Sequence, residues 1–344
     1  MLGLGRWLGL AALGFAAAAT PASAETVAEF YAGKTFTIVV GSDVGGGYDT
    51  NARLLSRHIG KFIPGNPTVI VQNRPGAGSI TAANYIYNAA PKDGTTIGMI
   101  QRGIPLFKLT NQPGVQYDPE KFTWIGNMSS EVGVSMVWHT SPAQKTEDLF
   151  TKEIVVGGSG SGAENETGPR LLNAVLGTKF KVIGGYKSQT EALLAMERGE
   201  LAGIGSMSWP SLKTSKSEEY KSGKIRVLMQ NGLKRDKDLP NVPLSLELAK
   251  NDADRQALEF YFTQNTIARP ILAPPGVPAD RVAALRGAVL AMAKDQEFKD
   301  DATKLGLDTD PVGGEEVQRI VEKLVKTPAD VVKRVSDATN PNTK

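Results

Sequence analysis

Ile38-Val39-Val40-Gly41-Ser42-Asp43-Val44-Gly45-Gly46-Gly47-Tyr48-Asp49-Thr50-Asn51-Ala52-Arg53-Leu54-Leu55 decides how the rest of the chain is read. Thr37 to Val40 is short, apolar and mostly β-branched, which suits a strand covered on both faces. Gly45, Gly46 and Gly47 let the backbone turn freely and let a ligand approach with no Cβ in the way. Ala52, Leu55, Ile59 and Phe62 then recur at three- and four-residue steps, the stripe of an amphipathic helix. A helix entered through such a loop points unpaired N–H groups and the positive end of its dipole into the loop, so the expected guest is a carboxylate or phosphate.

Working outward, strand and helix alternate: strand Thr68 to Gln72, helix Ser79 to about Ala89, strand Thr96 to Ile100. That order predicts an α/β lobe with a largely parallel sheet. The junction Asn73-Arg74-Pro75-Gly76-Ala77-Gly78-Ser79 again sets small residues between strand and helix, bringing a second group of backbone donors to the same sheet edge. Gln101 to Asp118 reads as irregular, Phe122 to Gly126 as an apolar stretch, and Val132 to His139 as the strand that crosses into a second lobe.

There the pattern repeats. Strand Ile154 to Val156, loop Gly157-Gly158-Ser159-Gly160-Ser161-Gly162 and a helix from about Pro169 echo the opening stretch. Strand Lys181 to Ile183, helix Ser188 to Arg198 and strand Leu201 to Gly205 follow, with Ser188 and Glu191 spaced as a capping box. Strand Lys224 to Met229 completes the second lobe, and Leu239-Pro-Asn-Val-Pro243 leads back to the first. Strand Ile267 to Ala273, a helix opened by Asp280 with Val282, Leu285, Val289 and Met292 as its buried stripe, and an amphipathic tail carrying Val317, Ile320, Val321 and Leu324 are assigned to the first lobe. The expected division is residues 25–131 with 240–344 as lobe one and 132–239 as lobe two. Two similar lobes with loops at their strand ends would enclose one small molecule.

The first residues carry their own message. Arg6, the apolar run Trp7 to Ala19, Pro21 and Ala22-Ser23-Ala24 read as a secretory signal peptide, residues 1–24, cut after Ala24. No later apolar run is long enough to span a bilayer. The expected product is an exported, periplasmic protein of about 320 residues, enough for two lobes with substantial cores.

Composition closes several routes. No cysteine means no disulfide, thiolate metal site or cysteine nucleophile, and His58 and His139 are the whole supply of imidazole. A net charge of +3 with its basic residues scattered gives no nucleic-acid signal. Gly33-Lys34-Thr35 precedes its strand and has Ala28 where a phosphate loop needs glycine. The Gly158-Ser159-Gly160 run has Ala163 at the third fingerprint position of a dinucleotide fold, which tolerates alanine there, so that route is weakened and not closed. Neither loop serine sits in a Gly-x-Ser-x-Gly frame, and no His, Asp and Glu cluster has metal-ligand spacing. Asp49 has two readings, a helix-end acid and a ligand contact. Arg74 is a carboxylate partner or a loop anchor, and Trp209 a cleft wall or core.

Together the export signal, Val44-Gly-Gly-Gly-Tyr-Asp49 with Ala52-Arg53, Gln72-Asn-Arg-Pro-Gly-Ala-Gly78, Ala90-Pro-Lys-Asp-Gly94 and Leu272-Ala-Pro-Pro-Gly-Val-Pro278 resemble the solute receptors of tripartite tricarboxylate transporters, the Bug family. The resemblance covers essentially all of the chain after the signal. It implies an α/β, two-lobed type II periplasmic binding protein fold, with loop N–H groups and ordered waters holding a carboxylate. It also implies that the loaded receptor docks on a small and a large membrane permease subunit. The matching positions are Gly45, Gly46, Gly47, Tyr48, Asp49, Pro75, Gly76, Ala77 and Gly78 from lobe one, and Ser159, Ser161, Gly162, Ala163, Tyr186, Lys187 and Ser188 from lobe two. Ser188 replaces a usual glycine, and Glu164 and Glu166 are additions; both departures fall on the side that meets the variable end of the substrate. The expectation is a monomeric, non-enzymatic receptor for a small carboxylate, a di- or tricarboxylic acid or related organic acid, with no cofactor or metal. The alternatives are a secreted α/β serine hydrolase or transferase and a ligand sensor feeding a signalling partner.

Overall fold

The structure, a computed structural model, describes residues 25–307 and 309–340. The signal-peptide reading of residues 1–24 lies outside the described residues.

Two sheets organise the chain. The strands are β1 (Thr35–Val40), β2 (Thr68–Asn73), β3 (Thr96–Met99), β4 (Thr123–Asn127), β5 (Gly133–Trp138) and β6 (Ile154–Gly157). They continue with β7 (Phe180–Ile183), β8 (Gly203–Ser208), β9 (Ile225–Asn231), β10 (Pro270–Ala273) and β11 (Val312–Gly313). The first sheet runs β11-β4-β10-β3-β1-β2 and the second β7-β6-β8-β5-β9. In each, the parallel trio centres on the strand the sequence singled out. β1 pairs with β2 and β3, placing Ile38 beside Val71 and Ile97, while β6 pairs with β7 and β8. An antiparallel strand then extends each trio, β10 beside β3 and β5 beside β8. The repeat legible in the sequence is therefore a repeat of topology.

Burial explains why these segments are strands and helices. Phe36, Ile38, Val39 and Val40 of β1 are fully enclosed, and Gly47–His58 lays Ala52, Leu54 and Leu55 against the same core. In the second lobe Ile154 and Val156 pack beneath Leu171, Leu172 and Val175.

Several expectations are corrected. The segment read as irregular holds a short helix, Ile104–Leu109, with Pro105 in its first turn, where the missing N–H costs nothing. The helix expected from about Pro169 begins at Glu164 and runs to Leu176. Glu164 and Glu166 suit the positive end of its dipole. Pro169 lies inside the helix, packed so closely on β8 that a Cβ on Gly205 would collide with its ring. The capping box is half formed: Ser188 Oγ accepts from Glu191 N at 3.2 Å, but the Glu191 carboxylate accepts from Lys187 N instead.

The tail divides. Gly314–Val325 seats Val317 and Val321 against Trp124 of β4. Ala329–Thr339 instead packs on Glu164–Leu176 and Asp252–Phe262, with Val331 and Val335 in the second lobe's core. An Arg334–Asp254 ion pair and a Ser336 Oγ bond to Thr110 O, 2.8 Å, fix it there. Its own apolar stripe fits either lobe, so only packing assigns it.

Candidate ligand-binding site

A cavity of about 330 Å³ lies where the loops after β1, β2, β3, β6, β7 and β8 converge, at the carboxyl ends of the parallel strands. This is within the usual range for a small-molecule pocket. From the first lobe it is bounded by Gly46, Gly47 and Tyr48, by Pro75 to Ser79, and by Gln101 and Arg102. From the second it is bounded by Ser159, Ala163 and Glu164, by Tyr186 to Thr190, and by Ser208 and Ser211.

The expected residues fall into two groups by position. Gly46, Gly47, Tyr48, Pro75, Gly76, Ala77, Gly78, Ser159, Ala163, Tyr186, Lys187 and Ser188 line the cavity, and Gly45, Asp49, Ser161 and Gly162 do not. Asp49 is buried and faces inward, accepting from Gly45 N (2.8 Å), Arg53 Nε (2.9 Å) and Asn73 Nδ2 (2.9 Å). Burial opposes its ionisation, but these donors from Arg53, Gly45 and Asn73 outweigh it and hold the carboxyl below its ordinary range. It ties the glycine loop to β2. Arg74 stacks its guanidinium 3.8 Å from the Tyr85 ring centre, and Trp209 is core, edge-on to Tyr220.

Backbone geometry prepares the first-lobe jaw. Gly46 caps Gly47–His58 with no side chain, so the first-turn N–H groups stay open to a guest. The next loop holds Gly76, Ala77, Gly78 and Ser79 all at positive φ, a run that Ala77 and Ser79 adopt at a cost. Ser79 sustains it by donating to Gly41 O at 2.8 Å and accepting from Gln101 N at 3.1 Å.

The two jaws touch. A Cβ on Gly78 would overlap the backbone of Gly162, and one on Gly47 would overlap Ser211 Oγ. With its amide turned to suit its neighbours, Gln101 donates to Gly78 O (2.8 Å) and Gly162 O (2.9 Å) and accepts from Glu164 N (3.1 Å). At Gly78, where the obstacle is backbone, glycine is set by contact between lobes.

Sequence reasoning missed the charged wall of the cavity. Arg102, Glu131, Glu164 and Arg269 form one buried network joining both lobes. Arg102 pairs with Glu164 and, at 3.4 Å, with Glu131; Arg269 Nη2 meets Glu131 Oε1 at 3.0 Å. Ser208 Oγ donates to Glu131 at 2.5 Å and Ser206 Oγ to Glu164 at 2.8 Å. Arg102 N donates to the Tyr48 phenol oxygen at 3.0 Å, and the Arg269 guanidinium lies 4.5 Å from that ring's centre. Burial raises the Tyr48 pKa despite both arginines. Burial also disfavours charge on Arg102, but Glu164, Tyr48 and Glu131 hold it protonated. Removing one member of such a network costs about 3–5 kcal/mol, because it strands an opposite charge. These four residues lie far apart in sequence without a shared motif, and only Glu164 stood out, as a departure from a pattern.

The arrangement offers no hydrolytic machinery among the described residues. Ser159 Oγ donates to Asn165 Oδ1 at 3.0 Å rather than to an imidazole. His58 is buried elsewhere, 3.0 Å from Asp301 Oδ2 and edge-on to Phe298, and His139 packs beside Trp138. His58, Asp295 and Glu297 are close enough to share an ion, yet Lys61 Nζ already bridges the two acids at 3.0 and 2.8 Å.

Comparison with known proteins bears on family and fold. A family model described as "Tripartite tricarboxylate transporter family receptor" matches residues 52–337. A Cupriavidus necator protein named "UPF0065 protein in gbd 5'region" is 28% identical over 246 residues, 69% of this chain and 70% of that protein. The structure of the periplasmic binding protein BugD aligns with a TM-score of 0.70 at 23% identity, covering 88% of this chain and 97% of that one. MatC from Rhodopseudomonas palustris, solved with bound malate, aligns with a TM-score of 0.69 at 21% identity over 87% and 99% of the two chains. At these identities the two structures establish a shared fold.

Proposed function

Starting from the fact that this chain belongs to the tripartite tricarboxylate transporter family of receptors, which are binding proteins and not enzymes, we propose that it captures a small organic carboxylate between its lobes. The proposed setting is the periplasm, and the proposed recipient is a membrane permease of small and large subunits. The observation that carries the reading is the convergence of open backbone donors at Gly47 and Tyr48 and at Gly76 to Gly78 on one cavity between the lobes. Donors fixed in the main chain recognise a carboxylate with little reorganisation. The malate held by MatC in the same fold supports that ligand class.

In this proposal residues 25–131 with 268–328 move as one lobe and 132–262 with the terminal helix as the other, because Leu258 and Phe262 share a core with Ile154 and Leu171. Ligand would favour the closed form by touching both, so affinity and closure are linked. A thermal-shift screen of mono-, di-, tri- and aromatic carboxylates tests the reading. One or a few acids should raise the melting temperature, since ligand at 100 times Kd adds about 2.7 kcal/mol. No response across the set would refute carboxylate capture. Co-purification of the loaded receptor, but not the empty one, with the permease subunits separates transport from signalling.

A further inference from the structure

The cavity has backbone donors for one carboxylate, and the two buried cations in its wall are already paired. Arg102 and Arg269 line it, yet they are 1% and 2% exposed and committed to Glu131 and Glu164. The Nε of each guanidinium is buried out of contact with solvent and has no hydrogen-bond partner. Two arginines and two glutamates sum to zero. At the rim Asp43 and Lys187 also line the cavity, again one of each sign.

Within the network the acids are not equivalent. Glu131 stands behind the wall, held by both arginines and by the hydroxyls of Ser208 and Ser129. Glu164 is part of the wall itself and keeps 13% of its side chain exposed. Each of its oxygens accepts one bond, Oε1 from Ser206 and Oε2 from Arg102, which leaves each with capacity for another donor. A group beside Glu164 is therefore favoured if it donates a hydrogen bond and disfavoured if it is a carboxylate, because like charges repel strongly where water is excluded.

Resting on the receptor reading above, we propose that the ligand carries one carboxylate and, at its other end, a neutral or cationic hydrogen-bond donor received by Glu164. This narrows the di- or tricarboxylic acid or related organic acid expected from sequence to a singly carboxylated compound such as a monoamide, hydroxy acid or amino acid. Glu164 is then the residue that sets specificity, and the loops at Gly46 and Gly76 hold what all candidates share.

Titration calorimetry at pH 7 with two matched series decides it: succinate, succinamate and 4-aminobutyrate, then adipate, adipamate and 6-aminohexanoate. In at least one series the amide or amine should bind on the order of tenfold more tightly than the diacid, the scale of one unpaired like-charge contact near a protein surface. Diacids binding as tightly as their partners in both series, or more so, would overturn this inference and leave carboxylate capture standing. Silence from all six would overturn both. Glu164→Gln should erase the preference, and a preference that survives in the folded variant would remove Glu164 from the role. The wild-type series stands whether or not that variant folds.

Discussion

Asp49 illustrates what a single residue can conceal. Its place in the first turn of a helix beside a glycine loop suits either the helix dipole or a ligand, and the structure uses it for neither alone. It is a buried brace joining Gly45, Arg53 and Asn73. Its folded pKa lies below the ordinary 3.8, so the ionised form is the stabilising one. That stabilisation is complete above 3.8 and disappears as the pH falls through the depressed folded value. Asp49→Asn should therefore cost about 1–3 kcal/mol at pH 7. Thermal unfolding followed from pH 7 to pH 2 should show the gap to wild type closing below 3.8. A gap that stays constant over that range would contradict the brace.

At the scale of elements, loops matter more than the helices and strands that carry them. Gly78 has φ of +66° and leaves no room for a Cβ against Gly162, whereas Gly33 has φ of +70° and open space around it. Alanine at either site incurs a similar left-handed backbone penalty of about 1–2 kcal/mol. Only Gly78→Ala also holds the jaws apart, so it should weaken ligand binding at least on the order of tenfold while Gly33→Ala leaves affinity unchanged. Calorimetry and melting curves on the pair separate closure from stability, and equal affinities would show that the jaw contact is dispensable. The loops at Gly45 to Gly47 and Gly76 to Gly78 were legible because glycine-rich turns between strand and helix have few other uses. The Arg102, Glu131, Glu164 and Arg269 network was not, because its members are brought together from four separate segments.

On the scale of the whole molecule, the sheets divide cleanly while the helices do not. Every first-sheet strand lies before Met128 or after Ala268, and every second-sheet strand lies between. Yet Ala329–Thr339 reaches across to finish the second lobe's core, so the last segment of the chain locks a domain from its middle. Val335→Asp, burying a charge among Leu171, Leu172 and Leu258, should cost about 3 kcal/mol or more. Chemical denaturation would register that as a lowered midpoint, and an unchanged midpoint would mean the helix is not part of that core. On the closure proposed above, ligand addition should reduce the radius of gyration in small-angle scattering, because the contacts of Gln101 and Gly78 with Gly162 bridge the two jaws.

Local chemistry determined what the sequence could announce by itself: apolar β-branched runs become buried strands, glycine loops open helix ends, and their repetition doubles the lobe. Those features depend on neighbours a few residues away. Tertiary structure alone decided which lobe the last helix completes, that Asp49 braces while Ser161 and Gly162 stand clear of the cavity, and that two arginines there are already neutralised. Those outcomes depend on burial and on partners that only the fold brings together, Arg102 with Glu131 and Glu164, Arg269 with Glu131, and Ser336 with Thr110. The strength of a charge in a protein is set by what surrounds it after folding.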